Sequence, residues 1–121
     1  MRLFALRGAV SVHRNNSAEI LDSAETLLRE VMDRNRLAPE AIVSCIFTVT
    51  EDLNAEFPAV AARRLGLDRV PLLCAREIDV PGAMRGVIRL LVHYHAEDAH
   101  RPRHVYLGDA RALREDLQAA Q

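Results

Sequence analysis

Two arginines stand where apolar side chains are expected. In GVIRLLVHYH, residues 86–95, Arg89 shares a strand face with Val87, Leu91 and His93. In LFALRGAV, Arg7 falls in line with Leu3, Ala5 and Ala9. A guanidinium held in such a strand costs several kcal/mol if it is buried without a partner. Either that face is wet, or a carboxylate of the chain pairs with it, or an anionic ligand meets it. Gly8, beside Arg7, permits close approach of another backbone or of a ligand. Glu77 directly follows the apolar run VPLLCA and offers a carboxylate, although a turn salt bridge explains it equally well. Cys74 lies three residues earlier, which places the two on opposite faces of an ideal strand. They can serve one pocket only if the chain bends near Arg76. A small core residue is the commoner role for such a cysteine.

Five histidines invite a metal reading. His93 and His95 share a strand face, and His100 and His104 follow soon after. Zinc needs three or four ligands in a tight shell. The loop residue His100 is not at a recognisable ligand spacing and no CxxC exists, so no metal site is assigned. GxSxG, P-loop, GxGxxG and HExxH signatures are also missing. What is left is an arginine-rich surface with one carboxylate and one thiol. That chemistry suits a dianionic small molecule whose reaction needs no nucleophile.

The elements that must position these groups follow from periodicity. Residues 2–12 read as a strand. Asn15 and Asn16 make a turn, and Asn16 with Glu19 three residues on reads as a capping box. Ile20, Leu21, Ala24, Leu27, Leu28, Val31 and Met32 form one stripe of a helix over about 17–35. Pro39 ends that pattern. IVSCIFTV, residues 42–49, is a strand apolar enough to be covered on both faces. TEDLN is a polar turn. Pro58 opens a second helix, PAVAARRLG, which Gly66 ends. Residues 70–75, 86–95 and 104–107 read as three further strands, with a DVPG turn at 79–82 and an HRPR loop between them. The tail from about 115 reads as weakly ordered. The order β-α-β-α-β-β-β implies an α+β fold with a single mixed β-sheet and helices packed on one face.

Composition sets outer bounds. A chain of 121 residues is one domain, 1–121, burying roughly two-thirds of its unfolded surface. That leaves little room for a deep pocket within one subunit. The net charge of −1 and only 4% aromatic residues argue against nucleic acid as a partner. All 16 basic residues are arginine, a bias in keeping with a GC-rich genome. No run approaches the roughly 20 apolar residues of a membrane span. The N-terminus has no continuous apolar segment of a signal peptide, and the two cysteines make no disulfide framework, so the expected location is the cytoplasm.

Four segments carry a resemblance: RGAVSVHRN, TEDLNAEFPAVAARRLG, VPLLCAREIDVPGAMRGVIRLLVHY and RHVYLGDARALREDL. In this order and spacing the chain resembles the small monofunctional chorismate mutases of the trimeric bacterial type, over nearly its whole length. The resemblance implies rearrangement of chorismate to prephenate, on the route to phenylalanine and tyrosine, without cofactor. It also implies a homotrimeric pseudo α/β-barrel with active sites between subunits. By the same resemblance Arg89 would meet the breaking ether bond, Arg7 and Tyr106 the substrate carboxylates, and Glu77 and Cys74 the ring hydroxyl. Phe57, Ala59 and Arg63 would line the pocket, and Leu113 and Arg114 would fold over it. The chain departs from the family pattern at Val60, where a lysine can occur, and at Leu73, where a threonine can occur. A non-catalytic or imine-hydrolysing trimer of similar fold is the alternative. Its Gly/Pro-rich loops are not evident in this sequence, and the retention of Arg7, Glu77, Arg89 and Tyr106 together argues against it.

Overall fold

A computed structural model describes residues 1–113 of the chain. Five strands form one mixed sheet: β1 (Arg2–Ser11), β2 (Ile42–Val49), β3 (Leu72–Arg76), β4 (Val87–Ala96) and β5 (Val105–Leu107). The helices are α1 (Ser17–Asn35) and α2 (Ala59–Arg64). Short 3₁₀ turns occupy Pro39–Ala41 and Gly108–Ala110. The expected element order is found, with strand ends moved by one or two residues.

The strand order is β3-β2-β4-β1-β5. β4 runs antiparallel to both its neighbours, while β1 with β5 and β2 with β3 are parallel pairs. Parallel strands cannot be joined by a tight hairpin and need a crossover. α1 therefore carries the chain from β1 to β2 across β4, and α2 carries it from β2 to β3. α1 starts at Asn16, whose side chain accepts the Glu19 N–H at 2.8 Å while its amide donates to Glu19 Oε2 at 3.1 Å. The cap is the one read from the sequence, but the box is only half made: the Asn16 backbone N–H donates to the Arg14 carbonyl at 3.0 Å rather than to Glu19. The predicted stripe is buried at Ile20, Leu21, Ala24, Leu27, Leu28 and Val31.

Period-two alternation divides the sheet into unlike faces. Leu6, Val10, Cys45, Phe47, Ile88, Leu90, Val92 and Tyr94 are buried in one core with the helix stripe. The opposite face presents Arg7, Thr48, Arg89, Leu91 and His93, none of them fully buried. The expectation that β2 is covered on both faces does not hold: Ser44, Ile46 and Thr48 are only half-buried. Gly8 lets the chain itself close in. A Cβ there would lie 3.1 Å from Leu27 Cδ1 and 3.3 Å from the Val105 carbonyl oxygen. α1 and β5 use the space, and no ligand is needed to explain it.

Candidate active site

Register brings the two arginines together. Ala9 pairs with Arg89 across β1 and β4, and Arg7 pairs with Leu91. Arg7 and Arg89 are thus diagonal neighbours on the face opposite α1, within reach of long side chains, beside a small second core of Ala9, Val87 and Ala110. On the other side of β4, Thr48 is the partner of Arg89. β5 places Tyr106 opposite Ala9, on the same face. One depression is lined by Arg7, Gly8, Ala9, Arg89, Leu90, Tyr106 and Leu113. A second adjoins it through Arg7 and Arg89 and extends to Thr48 and Glu77.

Arg89 has the carboxylate partner that the salt-bridge reading requires, but the pair is loose. Its Nη1 lies 3.7 Å from Glu77 Oε1, with the two side chains 29% and 31% exposed. A half-exposed pair of this kind contributes about 0–1 kcal/mol. That is too little to offset an arginine placed in a strand for structure alone. Arg7 makes no salt bridge with any described residue. Its backbone N–H donates to His104 Nδ1 at 3.0 Å, one step ahead of the β1–β5 ladder. The Tyr106 hydroxyl is buried and has no hydrogen-bond partner among the described residues. A buried hydroxyl without a partner forfeits about 1–3 kcal/mol. It therefore marks where a polar group from outside these residues belongs.

Cys74 does not join this group within one protomer. β3 runs unbent through Arg76, with Cys74 opposite Phe47 on the helix side and Glu77 reaching Thr48 on the open side. Cys74 instead lines a separate depression with Phe57, Pro58 and Arg76. Phe57 is 69% exposed, Ala59 is buried at the start of α2, and Arg63 is exposed on that helix. Leu113 lines the arginine depression, whereas Arg114 lies outside the described residues. Val60 is half-buried and Leu73 is 60% exposed on the edge strand. Cys45 is no candidate nucleophile, because burial first, and the nearby Cys74 second, push its thiol up to about 12.

Three of the five histidines, His93, His100 and His104, have protein partners of their own. His93 Nδ1 lies 3.2 Å from the Ser44 hydroxyl, and His100 Nε2 lies 2.7 Å from the Tyr94 hydroxyl. Among the described residues no three His, Cys, Asp or Glu side chains are grouped to hold a metal ion. No described helix is long and apolar enough to cross a membrane. One site residue escaped the sequence reading: Thr48, whose hydroxyl donates to Glu77 Oε1 at 2.8 Å. A threonine in a β-branched run reads as a strand former, and only the register reveals its neighbour.

One sheet face sheathed by helices, and the other bearing two arginines, a carboxylate and a phenol partnerless among the described residues, define a small α+β protein with a polar, arginine-bearing sheet face. The model of the family described as chorismate mutase type I matches residues 3–117. The chain belongs to that family. It is similar to "Chorismate mutase AroH" of Thermus thermophilus, 44% identical over 118 residues, covering 96% of this chain and 97% of the relative. The protein of the same name from Bacillus subtilis (strain 168) is 37% identical over 119 residues, covering 97% and 94%. A solved chorismate mutase from Clostridium thermocellum superposes with a TM-score of 0.87 at 43% identity, covering 90% of this chain and 98% of that one.

Proposed function

We propose that this chain is a chorismate mutase, an isomerase that converts chorismate to prephenate by an intramolecular rearrangement. The observation that carries the reading is the convergence of Arg7, Arg89, Glu77 and the Tyr106 hydroxyl, partnerless among the described residues, on the sheet face opposite α1, in a chain of this family. The substrate is a dianion, and the face offers two guanidinium groups and a phenol.

The reaction is a concerted Claisen rearrangement, so no side chain needs to act as nucleophile or move a proton. The protein has two tasks. It holds the flexible substrate in its reactive chair-like conformer, and it stabilises charge that separates as the C–O bond breaks. The ether oxygen gains negative character, and Arg89 is the donor we assign to it. One preorganised donor of this kind is worth about 3–4 kcal/mol of barrier. The ring gains positive character, which Glu77 offsets. Arg7 and Tyr106 hold carboxylates in ground state and transition state alike, so they act mainly on apparent affinity.

A homotrimer completes the site in this reading. Phe57, Leu73, Ile78 and Val80 are 69%, 60%, 83% and 55% exposed around the β3 edge. Exposed apolar groups in such a cluster favour an interface. We assign Phe57, Ala59, Arg63 and Cys74 to the side of the pocket that faces the Arg7 and Arg89 of a neighbouring subunit. Leu113 and Arg114 then belong to a C-terminal cover over it. The whole chain serves as one such domain, at work in the cytoplasm. The test is direct: purified protein mixed with chorismate should consume it and accumulate prephenate, followed by absorbance. Chorismate left at the rate of the buffer control would sink the proposal.

A further inference from the structure

Glu77 Oε1 accepts from the Thr48 hydroxyl at 2.8 Å, while Arg89 Nη1 stands 3.7 Å from the same oxygen. Charge-assisted N–H···O bonds normally close to about 2.7–2.9 Å. Glu77 and Arg89 therefore sit side by side without closing to that distance. Thr48 is the cross-strand partner of Arg89, and the Glu77 N–H donates to the Val49 carbonyl at 2.8 Å. The carboxylate is thus tethered twice to β2, through its backbone and through its oxygen. All three side chains line the same depression.

We infer that Thr48 is a positioning residue: its hydroxyl holds the Glu77 carboxylate off the Arg89 guanidinium, keeping that donor fork free for substrate. Without the hydroxyl, Glu77 would settle onto Arg89 as an ordinary fork–fork pair. The guanidinium would then be occupied in the resting protein, and the carboxylate would be turned from the ring it is read to face. The inference rests on the roles assigned above to Arg89 and Glu77. It adds a role for a side chain that does no chemistry itself.

Thr48→Val removes the hydroxyl and keeps the shape and β-branching, so strand propensity and packing stay nearly constant. Thr48→Ser keeps the hydroxyl. With chorismate as substrate, Thr48→Val should lower kcat about tenfold with KM within about threefold, because the lost interaction acts in the transition state. Thr48→Ser should stay within about threefold of the parent. In a Glu77→Gln background, Thr48→Val should add less than about twofold, since the hydroxyl acts through the carboxylate. Thr48→Ala gives the same comparison should the valine variant fail to fold. The inference is overturned if Thr48→Val keeps kcat within about twofold, or if its loss is the same with Gln at 77. Serine performing no better than valine would overturn it too. Glu77→Gln alone leaving kcat unchanged would remove the assigned role of Glu77, and this inference with it. An impaired Glu77→Gln beside an unimpaired Thr48→Val would sink the inference only.

Discussion

Arg89 and Arg7 lie on the same sheet face yet are assigned different work. Arg89 meets charge that exists only as the bond breaks, whereas Arg7 meets charge that the substrate already carries. Arg89→Lys puts a single ammonium where a planar fork stood. It should cost about 100-fold or more in kcat, read from the loss of chorismate. A lysine enzyme within a few-fold of wild type would remove Arg89 from the chemistry. Arg7→Ala should raise KM with a much smaller change in kcat; the reverse pattern would exchange the two roles. These two arginines were legible in the sequence because alternation alone puts them out of place. Tyr106 and Leu113 entered through the family resemblance, and the structure sets both beside the arginines. Thr48 was not legible, because its meaning lies in a partner 29 residues away, just past the end of β3. The Cys74–Glu77 spacing warned of opposite faces, and the strand has them so.

Elements place these residues through the junction ahead of β4. Gly86 has φ +65°, and a Cβ there would lie 2.7 Å from the Val12 carbonyl oxygen. Its own carbonyl accepts the Val12 N–H at 2.7 Å. Gly86→Ala would therefore strain the backbone three residues before Arg89. It should destabilise the fold by about 1–3 kcal/mol in urea unfolding, and no loss would show that the junction yields freely. Asp52 ties down the same junction by accepting the Gly86 N–H at 3.2 Å. Burial pushes its carboxyl up, but bonds from Thr50 and Gly86 and the charge of Arg85 outweigh burial and hold it below the ordinary range. The charged form is the one favoured by folding, so its contribution is present above the ordinary carboxylate range and fades as pH falls through and below it. Asp52→Asn should lower Tm more at about pH 7 than at about pH 3. Equal losses at both would show that the charge is not what matters. The turn residues were visible in DVPG and TEDLN. The Asp52–Gly86 tie spans 34 residues and was not.

At the scale of the molecule, one protomer holds the assigned residues on two surfaces. Arg7, Arg89, Tyr106 and Leu113 line the open sheet face, whereas Phe57 and Cys74 line the depression at the α2–β3 side. Arg63 lines neither. A ring of identical subunits joins unlike surfaces of neighbours, so the trimer proposed above would bring the two sets together three times. Complementation separates this from a site within one chain. Arg89→Ala and Arg63→Ala should each be nearly inactive alone. If they are unfolded together and refolded as an equal mixture, each interface has a one-in-two chance of a functional Arg89 on one side. It has the same chance of a functional Arg63 on the other. About a quarter of wild-type activity should return, carried by sites built from one chain of each kind. Light scattering should give the mass of three chains for each variant and for the mixture. A mixture no more active than its components would place both arginines in the same chain's site, or show that Arg63 lies outside it, and the shared pocket would fall with that result.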